Sequence, residues 1–175
     1  MDILLEILKY TIPAVVVFLT IWVMLRIWSW NEASRRKNEF NMHINDEILP
    51  VRLQAYERII LLLERISPES LIMRVSRTEY TARQLQAELL NSIKSEYEHN
   101  LTQQIYVSNE AWEKVKTARN QIMNLVNNAA SEVKADASGP TLGKVILERL
   151  TELNNPPSQM AINHLKQEVR TLFLT

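Results

Sequence analysis

The sequence contains no cysteine, which excludes a disulfide framework, a thiolate nucleophile and a thiolate metal site together. Glycine is nearly absent as well: Gly139 and Gly143 are the only two in 175 residues. Phosphate-cradling loops and tight hairpins need residues that tolerate positive φ, so nucleotide-binding loops and sheet folds have little to be built from. Net charge is also missing. Twenty basic and twenty acidic residues cancel, which leaves no field to draw the chain onto nucleic acid or an acidic substrate, and no nucleic-acid partner is expected. Neither a Gly-x-Ser-x-Gly elbow nor a Gly-x-x-x-x-Gly-Lys phosphate loop occurs. Nucleophilic and nucleotide chemistry are therefore unsupported, and no cofactor is expected.

What the sequence does contain begins with an apolar run. From Tyr10 to Leu25 it reads YTIPAVVVFLTIWVML, and Arg26 is the only charge between Lys9 and Glu32. At about 1.5 Å per residue, the roughly 20 residues from Tyr10 to Ser29 would cover ~30 Å, the thickness of a bilayer's hydrocarbon core. Tyr10, Trp28 and Trp30 sit where amphipathic rings favour a membrane interface, and Arg26 can snorkel toward head groups. Pro13 falls early in the run, where it costs least. A cleaved signal peptide fits poorly, because Asp2 and Glu6 make the start acidic and no small-x-small pair follows. The basic residues Arg35, Arg36 and Lys37 lie after the run, so the positive-inside rule predicts the N-terminus outside and the rest in the cytoplasm.

Beyond residue 30 the periodicity is helical. Residues 31–48 carry scattered apolar positions without a clean face, which reads as a solvated neck. Pro50 is expected to kink or interrupt the helix, since it removes a donor and biases Leu49 away from helical angles. Leu53, Tyr56, Ile59, Ile60, Leu62, Leu63 and Ile66 then recur at helical spacing up to Ser67-Pro68. The segment 68–80 reads as irregular. Thr81 with Gln84 forms a capping box, opening a helix whose stripe is Leu85, Leu89, Ile93, Tyr97, Leu101 and Ile105. Tyr106-Val107 is a short link, and Ser108 caps a helix with Ala111, Val115, Ala118, Ile122, Leu125 and Ala129 on one face. So short a link predicts an antiparallel hairpin of two helices of about 25 residues. KADASGP at 134–140 is a loop. Leu142, Val145, Ile146, Leu150 and Leu153 mark a shorter helix stopped by Asn154-Asn155-Pro156-Pro157, and Ser158 is placed to cap a last one with Ile162, Leu165, Val169 and Leu172.

The predicted fold is thus all-α: an N-terminal single transmembrane helix followed by an antiparallel bundle of about five helices. Residues 1–9 form a short extracytoplasmic N-terminus, 10–30 the transmembrane helix, 31–49 the juxtamembrane neck and 50–175 the cytoplasmic bundle.

One constellation carries possible metal chemistry. In Glu96-Tyr97-Glu98-His99, Glu96 and His99 stand three apart on one helix face, which is half of a carboxylate-bridged di-iron site. The second Glu-x-x-His is missing: three residues before His43 is Phe40, and before His164 is Ala161. With that partner motif missing, His99 reads as a surface or rim residue, hydrogen-bonded to a carboxylate, ahead of a metal ligand. Trp112 reads as a packed tryptophan beside its stripe. Arg52, Arg58, Arg65, Arg74 and Arg77 read as ion-paired surface interleaved with Glu57 and Glu64.

The strings LPVRLQAYERIILLLERISPESLIMRV and EYEHNLTQQIYVSNEAWEKVKTAR resemble uncharacterised single-pass helical membrane proteins of Bacteroidota bacteria, over Leu49 to about Ala130. The resemblance implies a bacterial inner membrane as location and supplies no activity and no site residues. The expected partners are the lipid bilayer and another protein, with a homo-oligomer as a further possibility. The expected role is a membrane-anchored, non-enzymatic interaction or scaffold module. The alternatives are a metal-binding helical protein built around Glu96 and His99, and a homo-oligomeric structural protein.

Overall fold

A computed structural model describes the backbone of residues 2–173 and the side chains of residues 15–28 and 47–171. The elements in chain order are α1 (Asp2–Arg65), α2 (Pro68–Val75), α3 (Ala82–His99), a 3-10 turn (Leu101–Ile105), α4 (Asn109–Ser131), α5 (Gly139–Thr151) and α6 (Pro157–Phe173). No strand is present among the described residues; the nearest approach is a single antiparallel bridge between Thr81 and Ser138. The chain divides into two units, Met1–Leu49 and Pro50–Thr175.

The first unit is helical. Its described side chains, Val15 to Trp28, include twelve large apolar residues, and every one of them is exposed. The guanidinium of Arg26 lies over the Trp22 ring, 5.2 Å from its centroid. The transmembrane helix expected over residues 10–30 is corrected: among the described residues, no helix is long and apolar enough to cross a membrane. The single-pass anchor and the inner-membrane location with its outside-to-inside topology rested on that span and are corrected with it. The side chains of Tyr10, Trp30, Arg35, Arg36 and Lys37 lie outside those described.

Pro50 does not interrupt the helix, since α1 is helical from Asp2 to Arg65. A proline removes one rung of the ladder, and the helix continues on both sides of the gap.

The second unit holds one apolar core to which every helix contributes: Tyr56, Leu62 and Leu63 from α1, Leu71 from α2, Leu85, Leu89 and Ile93 from α3, Val115 and Ile122 from α4, Leu142 and Ile146 from α5, and Ile162 and Leu165 from α6. None of these stripes could be buried by its own helix, so the shared core is what holds them together. α4 packs on α6, α3 and α5, while α2 packs on α3 and α5. Trp112 is buried and stacks on Tyr97, with centroids 5.4 Å apart and planes 27° apart. Arg119 covers that tyrosine ring at 4.1 Å.

Several boundaries differ from expectation. Residues 68–75 are a helix rather than irregular chain, because Pro68 starts α2 rather than merely ending α1: at the first position of a helix the missing N–H has no partner to lose. Glu69 in the first turn and Arg74 in the last complement its dipole. α3 stops at His99, where the Asn100 amide donates to the Glu96 carbonyl at 2.9 Å. Leu101 and Ile105 therefore leave the buried face and are exposed in the 3-10 turn. α6 starts at Pro157, its first bond running from the Met160 N–H to the Pro156 carbonyl at 3.1 Å, so Ser158 lies inside the helix instead of capping it.

The loop at 134–138 does more than connect. The N–H groups of Ala82 and Arg83, in the first turn of α3, donate to the carbonyls of Ala137 (2.7 Å) and Ala135 (3.2 Å), and Gly139 N–H donates back to Tyr80 at 2.6 Å. The capping box of Thr81 and Gln84 is present in both directions.

Candidate functional site

α4 and α6 lie side by side with an open groove along their seam. One end is lined by Ser108 and Glu110 with Gln167 and Thr171. The far end is lined by Asn124 and Asn128 with Pro157 and Met160. The two helices therefore run antiparallel. Along α4 the groove is met at Glu110, Lys114, Thr117, Gln121, Asn124 and Asn128, steps of three and four that keep to one helix face. The groove has three adjoining lobes, of about 450, 450 and 290 Å³.

The first lobe is polar and tied down. Tyr56 Oη donates to Glu168 Oε1 at 2.6 Å, and Ser108 Oγ donates to Glu168 Oε2 at 2.9 Å. The same Ser108 oxygen accepts the Ala111 N–H at 3.0 Å as the cap of α4, so its hydroxyl is committed on both sides and is not poised as a nucleophile. Burial, reinforced by the hydrogen bond to and the charge of Glu168, pushes the Tyr56 phenol up to about 12. The phenol therefore remains a donor through the physiological range. Arg52 Nε donates to the Tyr106 carbonyl at 3.1 Å. His164 Nε2 stands 3.8 Å from Glu110 Oε1 and 3.8 Å from Glu168 Oε2, beyond hydrogen-bond range and within reach of an ion pair when protonated.

The other two lobes have a different character. Their rim is a row of exposed side-chain amides: Gln121, Asn124 and Asn128 from α4, Asn155 from the preceding loop, Asn163 and Gln167 from α6. Their floor is apolar, with Ala118, Ala161 and Pro157 buried and Leu125 half-buried. Met160 and Leu153 stand exposed at 57% and 42%. Lys114 is the single lysine, arginine, aspartate or glutamate lining these two lobes.

Glu96 and His99 line a separate cleft with Arg58 and Arg65. Glu96 Oε1 accepts from Arg65 (Nε at 2.8 Å, Nη2 at 2.6 Å) and from Arg74 Nη1 at 3.0 Å. Partial burial alone would raise this carboxyl, but the hydrogen bonds and charges of the two arginines outweigh it and hold it below its ordinary value. An oxygen already shared by two guanidiniums is poorly placed to ligate a cation, and His99 itself is exposed. Among the described residues no three His, Asp or Glu side chains gather as a metal site would require. Of the arginines expected as ion-paired surface, Arg65 and Arg74 pair with Glu96 on α3, and Arg77 lies over Tyr80 at 5.7 Å. Sequence reasoning missed the groove because its amides fall between the apolar stripes, where periodicity records only that they are polar. The recurrence of Gln121, Asn124 and Asn128 at helical spacing was the signal available.

Fold and groove together define an all-helical domain with an amide-rimmed surface channel and no metal-type cluster of His, Asp and Glu among the described residues. The chain belongs to a family of unknown function (DUF7935), whose model matches residues 2–172 and so takes in the apolar start and the bundle alike. No curated protein and no solved structure matches it.

Proposed function

We propose that this protein is an interaction module whose bundle docks another protein in the groove between α4 and α6. One observation carries the reading: two adjoining lobes with an apolar floor, uncovered Met160 and Leu153, and a nearly uncharged rim. Methionine adapts to irregular partners, and depletion of charge at the centre of a patch is the compositional mark of an interface. The polar groups that could have done chemistry, Ser108, Tyr56 and Glu168, are instead committed to one another. Affinity purification of the tagged full-length chain is the test, run beside a variant carrying Met160→Lys and Leu153→Lys, both at exposed positions, with circular dichroism to confirm that the variant is folded. A stoichiometric partner that is lost from the variant supports the reading. Recovery of the chain alone, or a partner retained equally by the variant, overturns it.

A second reading, self-association, is favoured by the first unit. A helical stretch that is apolar on all sides is ordinarily covered, and the residues Val15–Trp28 of a second copy offer the same chemistry. Light scattering on the full-length chain decides it, since a monomer ends the idea. The Bacteroidota source is supported by the likeness of the Leu49–Ala130 region alone.

A further inference from the structure

The docking reading leaves open what form the partner takes, and the groove's hydrogen-bonding chemistry answers that. A side-chain amide carries both a donor and an acceptor. Gln121, Asn124, Asn128, Asn155 and Gln167 make no side-chain hydrogen bond among the described residues. Asn163 uses only its oxygen, which accepts the Gln159 amide at 3.0 Å.

A row of neutral groups with both functions unspent does not match a charged ligand, and it does not match a helix, whose main-chain groups are bonded internally. It matches extended main chain, which presents one N–H and one C=O per residue. From Lys114 to Asn128 is fourteen steps along α4, or about 21 Å, the span of roughly six extended residues. Alternate side chains of such a strand would point down to the floor of Leu125, Pro157 and Ala161, and the rest outward to solvent.

Resting on the docking reading, the geometry points to an extended, low-charge segment of another polypeptide as the occupant, held by its main chain against the amides and by alternate apolar side chains against the floor. Recognition of this kind tolerates sequence variation at the outward positions and demands small or medium apolar residues at the inward ones.

The experiment uses the full chain and a displayed library of random peptides about eight residues long. Selection on the native protein is followed by counter-selection on the Met160→Lys, Leu153→Lys variant. Enriched peptides are synthesised and their affinity is measured by fluorescence anisotropy. N-methylation of the peptide main chain at alternate residues is expected to weaken binding about tenfold or more, the loss that accompanies a bond left unmade to a desolvated group. Replacing Gln121 by Met and Asn124 and Asn128 by Leu keeps the volume, removes the amides and is expected to do the same, with circular dichroism confirming the helical fold of each variant. Peptides that bind as helices, or whose binding ignores N-methylation, overturn the extended-chain inference and leave the docking reading standing. Failure of any peptide to be enriched over the counter-selected variant overturns the inference as well, and the affinity purification then judges the docking reading separately.

Discussion

Tyr56 and Glu168, 112 residues apart in sequence, meet at 2.6 Å and tie the start of the folded unit to its last helix. The carboxylate also takes the hydroxyl of Ser108, the residue that caps α4. A single acidic side chain thus fastens three helices at the polar end of the groove.

Tyr56→Phe removes one of the two donors and leaves a partly buried carboxylate under-satisfied. The expected cost is about 1.5 kcal/mol, typical of a hydrogen bond to a charged group, read as a lower midpoint in urea unfolding with unchanged slope. A variant as stable as the native protein would show that Glu168 is satisfied without the phenol.

The same tyrosine sets an alkaline limit. Its folded value, about 12, lies above the ordinary 10.0, so the folded state binds the proton more tightly than the unfolded chain. Its contribution is fully present below pH 10, declines between about 10 and 12, and is lost above. Titration followed by tyrosinate absorbance is expected to show a late step that disappears in Tyr56→Phe. An unchanged titration curve in the variant would rule this out.

On the acid side the sign reverses at Glu96. A carboxyl held below its ordinary value stabilises the fold above that value, and loses its contribution as pH falls through the folded one. The gap between native protein and Glu96→Gln is expected to be under about 1 kcal/mol, as for partly exposed pairs, and to close on acidification. A gap that persists at low pH would mean that packing rather than charge is responsible.

The two glycines are predicted to differ. A Cβ at Gly139 would stand 3.0 Å from the Tyr80 carbonyl oxygen, a backbone atom, whereas one at Gly143 meets only Ile72 Cγ2 at 3.4 Å. Gly139→Ala should cost about 2 kcal/mol through forced backbone displacement. Gly143→Ala, inside α5, should be neutral or gain up to about 1 kcal/mol from helix propensity. Thermal melts of the two variants moving in the same direction by the same amount would contradict this.

Helix identity was legible in the sequence wherever a stripe of large apolar residues met a cap. Thr81 with Gln84 and Ser108 mark the starts of α3 and α4, and the stripes Leu85-Leu89-Ile93 and Val115-Ala118-Ile122 are buried as their spacing predicts. Proline misled in both directions, because the same residue that stops one helix can start the next, as Pro68 and Pro157 do, or be carried through, as at Pro50. Leu101 and Ile105 misled because their periodicity presumes a continuous ladder, and the ladder ends at Asn100. The apolar start suggested a membrane span from its total length, which no helix among the described residues meets. The groove was the least legible feature, since it exists only where two helices distant in sequence are brought side by side.

The strap at 134–138 couples two places that sequence distance would separate. Its hydrogen bonds run from the first turn of α3 into the strap, and from the first residue of α5 back to Tyr80. Opening either helix start is expected to break the hydrogen bonds that hold the other. The amides of Ala82, Arg83 and Gly139 should therefore show one common opening free energy in hydrogen exchange, as a single opening unit, and anything that levers the strap away would loosen both helices at once.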